Sequence, residues 1–154
     1  MLISIVKKYL ILILVPFILT SCGIKKLKSE LINYTNDVDI TVLSYQESKY
    51  YDYGNVTFRA PKGYSFIALW LKIENKSNDT KMIDPEDFYL VDDSNLKYSV
   101  SQFLKEFKFI SKVKEQKLKA KKEKKFLLLF RPSFPKKSNM RLLVNGELHE
   151  LKYL

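Results

Sequence analysis

Cys22 is the only thiol in this 154-residue chain and His149 the only imidazole. With a scatter of carboxylates, they are what the sequence offers for nucleophilic or acid–base chemistry. A Cys-His or Ser-His-Asp set needs its imidazole within hydrogen-bond reach of the nucleophile and oriented by a third group. His149 alternates with Leu148 and Glu150, with no ligand at metal-binding spacing, and reads as a surface residue. Asp84, Glu86, Asp87, Asp92 and Asp93 are the acids from which a paired-carboxylate hydrolase or a calcium site would be built. Asp92-Asp93-Ser94-Asn95-Leu96 departs from the calcium pattern Asp-x-Asp-x-Asp-Gly and lacks its glycine. Asp and Asn bond their own backbone in tight turns, so these residues read as turn formers. Glycine is scarce, at four, which argues against phosphate-cradling loops. The expectation is a non-enzyme with no metal and no cofactor.

Cys22 has its own context. Lys7 and Lys8 precede the apolar stretch Tyr9 to Leu19, and the small residues Thr20 and Ser21 follow. Charged, apolar and small-residue regions in that order make a secretory signal. The apolar run is shorter than the roughly 20 residues a spanning helix needs, and Pro16 interrupts it. Leu19-Thr20-Ser21-Cys22 resembles the lipobox of bacterial lipoproteins. The resemblance implies that the thiol takes a diacylglyceryl group, that the chain is cut before Cys22, and that the new amine is often acylated. One acyl chain binds a membrane only marginally, at about 0.8 kcal/mol per buried methylene, whereas two or three anchor stably. The implied organisation is a signal peptide over 1–21, a lipidated tether over 22–36 and a folded domain over 37–154. The implied address is extracytoplasmic, on a bacterial membrane. Gly23 is not the acidic residue that resembles an inner-membrane retention signal, which favours the outer membrane in a two-membrane cell.

Lipidation would consume the one cysteine, so no disulfide is available and packing must supply the stability. Ten Tyr, ten Phe and one Trp, with many Leu and Ile, provide for it. The formal charge is +10, unevenly spread: ten Lys between Lys105 and Lys125 face only Glu106, Glu115 and Glu123. Such a stretch favours anionic lipid, envelope polymer or nucleic acid. The extracytoplasmic address removes nucleic acid. Lys112, Lys114, Lys117, Lys119, Lys121, Lys122, Lys124 and Lys125 are the candidate anionic-surface contacts, and a solvated loop is the alternative. Tyr45, Tyr50, Tyr51 and Tyr53 form the densest aromatic cluster outside the strands and are candidate contacts for an envelope protein partner. The alternative is that they cap one end of the core.

These groups must be positioned by strands. Val38–Tyr45 is rich in β-branched residues, and Tyr50–Asn55 reads as a polar-aromatic loop. Val56–Arg59 suits a short edge strand. Tyr64–Glu74 is the strongest strand signal, with Ile67, Leu69, Leu71 and Ile73 on one face and Phe66, Ala68, Trp70 and Lys72 on the other. Phe88–Val91 and Leu96–Val100 flank a turn. Phe103, Phe107, Ile110 and Val113 recur at three and four, which predicts one short helix near 101–113. Phe126–Phe130 is an apolar strand that Arg131-Pro132 should stop. Asn145-Gly146 between two apolar-containing strands is a strong hairpin signal. About seven strands with frequent turns predict an all-β antiparallel sandwich.

Three segments carry a family resemblance. Gly63 to Ser77 is similar to a Gly-aromatic start, a long apolar strand and a Glu-Asn-Lys turn. Ile83 to Tyr98 is similar to a Phe-x-Leu-x-Asp hairpin, and Lys125 to Phe130 to the late strand. Together they resemble the immunoglobulin-like β-sandwich domain of unknown function found in many secreted bacterial lipoproteins. One departure is that Lys119-Ala120-Lys121-Lys122-Glu123-Lys124 replaces the family's usual Pro-Gly or similar turn. The resemblance implies a fold and an extracytoplasmic address, and it carries no catalytic residues.

The membrane-extracted protein should yield an N-terminal peptide that begins at Cys22 with added diacylglyceryl mass, and a Cys22→Ala variant should lack it. A peptide beginning at Met1 with an unmodified thiol would refute the lipobox reading.

Overall fold

The computed structural model describes residues 24–28, 30–53, 55–105 and 115–152. In chain order the strands are β1 (Ile24–Lys26), β2 (Leu31–Thr35), β3 (Val38–Ser48), β4 (Tyr50–Tyr53), β5 (Val56–Arg59), β6 (Tyr64–Asn75) and β7 (Lys81–Ile83). A 3₁₀ turn over Pro85–Asp87 follows, then β8 (Phe88–Val91), β9 (Lys97–Lys105), β10 (Gln116–Leu118), β11 (Glu123–Pro135), β12 (Arg141–Val144) and β13 (Glu147–Glu150). Nine strands form one antiparallel sheet in the order β1-β3-β6-β11-β9-β8-β12-β13, with β2 also on β3. The pairs β4–β5 and β7–β10 are separate small ribbons. The protein is an all-β antiparallel sandwich.

Period-two patterning explains most of it. The inward row of β6, Ile67, Leu69, Leu71 and Ile73, is at most 2% exposed. Val38, Ile40 and Val42 of β3 and Phe126, Leu128 and Phe130 of β11 bury beside that row. Phe88 and Leu90 of β8 and Leu142 and Val144 of β12 join the same core. Its centre is aromatic: Phe103 and Phe126 stack at 4.8 Å, and Phe88 lies 6.2 Å from Phe103. The turns follow their residue types. Asn145 and Gly146 both take positive φ (49° and 84°), the geometry a two-residue hairpin needs. Asp84 caps the 3₁₀ turn by accepting from the Glu86 N–H at 2.9 Å.

Four expectations are corrected. The segment expected as a tether over 22–36 is structural from Ile24 onward: β1 and β2 both pair with β3, in register Ile24↔Gln46 and Leu31↔Thr41. Leu27, Ile32 and Tyr34 sit in the core at 3%, 1% and 7% exposure. The segment lies against the outer edge of β3 and closes the core there, which its weak local pattern does not reveal. Over residues 101–105, where a helix was expected, β9 runs on and pairs with β11 from Leu127↔Leu104 to Leu129↔Gln102. Phe103 is core because an alternating strand face puts it there, and the rest of the expected helix lies outside the described residues. Residues 50–53, read as loop, form β4 against β5. β11 passes through Arg131-Pro132 with a register shift between Phe130 and Phe134, which accommodates a proline that has no N–H to give.

Ile32→Ala should cost about 2–5 kcal/mol of stability, the usual range for emptying a core position of this size. Urea unfolding checks it. A change below about 0.5 kcal/mol, normal for a surface site, would return residues 22–36 to the status of a tether.

Candidate functional site

Two ends of the sandwich carry the residues singled out from the sequence. One end gathers the β2–β3 turn, the residues after β6 and the β10–β11 loop. It holds most of the described lysines of the basic stretch. Lys117, Lys119, Lys121, Lys122 and Lys125 are exposed, and Lys124 is half-buried, its Nζ donating to the Lys117 carbonyl at 3.2 Å. Lys112 and Lys114 lie outside the described residues. Leu118, inside this run, is fully buried and anchors it to the core. β10 pairs with β7, so Gln116 meets Ile83 and Leu118 meets Lys81.

Asn75 holds this loop in place. It is 1% exposed, and its Nδ2 donates to the carbonyls of Asp79 (2.7 Å), Leu118 (3.0 Å) and Lys119 (3.2 Å). Its Oδ1 accepts from the Ser77 N–H and hydroxyl at 3.0 and 2.7 Å. Lys121 takes φ 52°, and its N–H donates to the Ser77 carbonyl at 3.1 Å. A lysine thus occupies the left-handed turn position that suits glycine. Acids are interleaved here: Lys72 pairs with Glu123 at 3.4 Å, Lys81 with Asp37 at 3.4 Å, and Lys76 with Asp39.

The tyrosines do not form one surface. Tyr45 is 1% exposed and belongs to the main core. Tyr51 is 4% exposed and packs with Ala60 and Phe66 in a second, smaller core on the outer face of the sheet. These two are corrected from partner contacts to packing residues: Tyr45 lies on β3 opposite Leu69 and packs in the main core, and Tyr51 is buried because β4–β5 folds its inner side onto β6 and β11. Arg131 covers that cluster, its guanidinium 4.4 Å from the Phe58 ring centre and 5.1 Å from that of Tyr51. Tyr50 is 52% exposed and open to a partner. The side chain of Tyr53 lies outside the described residues.

The acids are engaged in turns and in bonds between distant segments. Asp92 is 3% exposed and accepts from the N–H groups of Ser94 (2.8 Å) and Leu96 (3.0 Å) and from the Tyr98 hydroxyl (2.8 Å). Burial, reinforced by Asp92, pushes the Tyr98 phenol up to about 12. Asp93 accepts from Asn139 and Ser138, and the Asn139 N–H leads in holding its carboxyl below the usual range. Asp87 accepts from the Tyr34 hydroxyl, and burial is the main cause of that phenol's raised pKa. His149 is half-buried on β13. Among the described residues no group of three or more His, Cys, Asp or Glu is placed to hold a metal, and no helix is long and apolar enough to cross a membrane.

The opposite end carries residues the sequence reading missed. Lys49, Arg59, Lys62 and Lys136 line a cleft of about 520 Å³ with Ala60, Pro61, Gly63 and Tyr64. The four cations come from separate parts of the chain, so no charge run announces them.

No family model matches the sequence, and no curated protein matches it. Solved structures share its fold. A conserved hypothetical protein from Bacillus anthracis aligns with a TM-score of 0.53 at 17% identity, covering 82% of this chain and 96% of that one. The yjhA protein from Bacillus subtilis gives 0.53 at 15% identity, over 79% and 81%. A candidate lipoprotein (ycdA) from Bacillus subtilis gives 0.51 at 14% identity, over 77% of this chain and 32% of that longer one. At these identities the likeness is one of fold.

Asn75→Ala should lower stability by about 2–4 kcal/mol, since it strands the buried Leu118 carbonyl and frees the loop. Asn75→Asp should not rescue it, because it removes the donors and sets a charge against three carbonyls. Denaturant unfolding that places Asn75→Ala within about 1 kcal/mol of the parent would show that the loop is held by something else.

Proposed function

We propose that the protein is a lipid-anchored, extracytoplasmic interaction domain of a bacterial envelope, with an immunoglobulin-like sandwich that binds and does not catalyse. The observation that carries this reading is the spacing between the lipobox and the fold. β1 starts two residues after Cys22, so a chain cut before Cys22 would begin where the sandwich begins. The likeness of fold to a candidate lipoprotein is consistent with it. Asp84 and Asp92 are taken up by turn bonds and Asp87 and Asp93 by bonds to Tyr34 and Asn139, which favours binding over acid–base chemistry.

The short link gives the domain an orientation. Two residues reach at most about 7 Å. Ile24 stands opposite Gln46, which stands opposite Ala68. Along β6, Ala68 is about 13 Å from Tyr64 and about 23 Å from Asn75 at strand rise. The Tyr64 end is therefore the one nearer the anchor, and the lysine-bearing end at Asn75 points outward. At that range the charge on the anchoring bilayer is screened, because the Debye length is about 8 Å at physiological salt. The exposed lysines from Lys117 to Lys125 would then meet a protein partner or an anionic polymer of the envelope, and not the headgroups of their own membrane.

Pull-down from detergent-solubilised envelope should recover a specific partner with the parent chain, and less of it with Lys119, Lys121, Lys122 and Lys125 changed to Gln. An anionic polymer as partner would make capture fall steeply with salt. Recovery of the same material by the parent and the quadruple variant would remove the outward lysines from the function.

A further inference from the structure

From the cleft at the Tyr64 end, we propose a second binding site: a basic seat for the phosphate of anionic phospholipid headgroups in the membrane that holds the anchor. It rests on the anchored reading given above. Lys49, Arg59, Lys62 and Lys136 surround the cleft, all exposed, and no acid is among its lining residues. The lining is the argument, since four cations share one opening that holds no carboxylate. Lys25, Lys72, Lys76, Lys81 and Lys152 each have a carboxylate within 4 Å, at Glu47, Glu123, Asp39, Asp37 and Glu150. Among the described residues, no such pair is formed by the four cations of the cleft. The nearby acids are engaged elsewhere: Glu47 with Lys25 at 3.2 Å, and Asp52 with the Thr57 hydroxyl at 2.6 Å.

The cleft is framed by backbone bonds. The Ala60 N–H donates to the Lys49 carbonyl at 2.9 Å, and the Lys136 N–H to the Gly63 carbonyl at 3.0 Å. The Tyr64 N–H closes a turn onto Pro61 at 3.1 Å, with Gly63 at φ 88°, where a side chain would be strained. Three chain segments are thereby fixed around one opening. The planar fork of Arg59 suits phosphate oxygens, and the three ammonium groups add point charges. Tyr64, 41% exposed at the rim, and Tyr50, 52% exposed nearby, are the amphipathic rings that settle at membrane interfaces. This end, about 13 Å along β6 from the level of Ile24 against about 23 Å for the other, is the one the anchor would turn toward anionic lipids, which attract cations at close range. The lipid chains hold the protein on the membrane, and the cleft fixes which side of the domain faces it.

The test is amine-reactive footprinting of the full lipidated protein in vesicles of phosphatidylcholine, with and without phosphatidylglycerol, at physiological salt. Labelling of Lys49, Lys62 and Lys136 should fall at least threefold when phosphatidylglycerol is present, while Lys119, Lys122 and Lys125 stay unchanged. An Arg59→Glu, Lys62→Glu double variant, with circular dichroism unchanged, should lose the protection of Lys49 and Lys136. Equal labelling in both vesicles, or protection that survives the double variant, overturns the proposal. Equal protection by inorganic phosphate in detergent would make it a free-phosphate site and overturn the headgroup assignment. Protein recovered from membranes with Cys22 unmodified, and floating with neither vesicle, overturns the anchored reading itself. A lipidated chain that floats with both but shows no footprint overturns only the cleft.

Discussion

Everything in this fold depends on covering β6. Its inward row is sealed to 2% exposure or less, and Phe66 and Ala68 on the other face are each 7% exposed. A strand buried on two sides needs hydrogen-bonded neighbours on both edges and apolar cover above and below. β3 and β11 supply the edges, in registers that run from Val38↔Asn75 to Ser48↔Phe66 and from Glu123↔Glu74 to Pro135↔Tyr64. The main core covers one face, and the β4–β5 ribbon with Tyr51 covers part of the other. Each large apolar side chain so buried contributes about 1.5–3 kcal/mol, and packing has to supply the stability in a chain whose single cysteine can close no internal disulfide.

Polar side chains fasten the ends of the sandwich, where apolar packing runs out. Asn75 ties the end of β6 to the loop before β11. Asp92 shapes the β8–β9 turn, and Arg141 on β12 donates to its carbonyl. Tyr34 joins the two extremes of the sheet: its ring stacks on Phe88 at 5.7 Å, and its carbonyl accepts from Asn145 Nδ2 at 2.6 Å. The Lys28 N–H donates to the Lys152 carbonyl at 2.9 Å, so the first strands and the residues after β13 lie together. Buried groups of this kind are costly unless fully partnered, and their partners fix the loops on which the surface charges sit.

That arrangement gives the molecule two electrically different ends. At the Asn75 end lysines alternate with acids that pair with some of them. At the Tyr64 end four cations share one cleft whose lining has no acid. With the anchor proposed at Cys22, the first end is turned away from the membrane and the second toward it. A charge count over the sequence draws attention to the first end alone, because its lysines are consecutive. Contiguity is a property of the chain, whereas electrostatic potential is a property of the surface.

Local pattern made much of this protein legible. The β6 alternation, the β8–β9 hairpin, the Asn145-Gly146 turn and the turn roles of Asp84 and Asp92 each depend on residues a few positions apart. The structure alone decided that Ile24–Thr35 is a pair of edge strands, that Phe103 lies in β9, that Tyr45 and Tyr51 are packed inside, and that Lys49, Arg59, Lys62 and Lys136 meet. The division has one physical cause. Backbone preference and side-chain period act over a few residues, so a sequence displays them directly. What covers a face, or which charges share a cleft, depends on contacts between distant segments that exist only once the sheet has closed on its core.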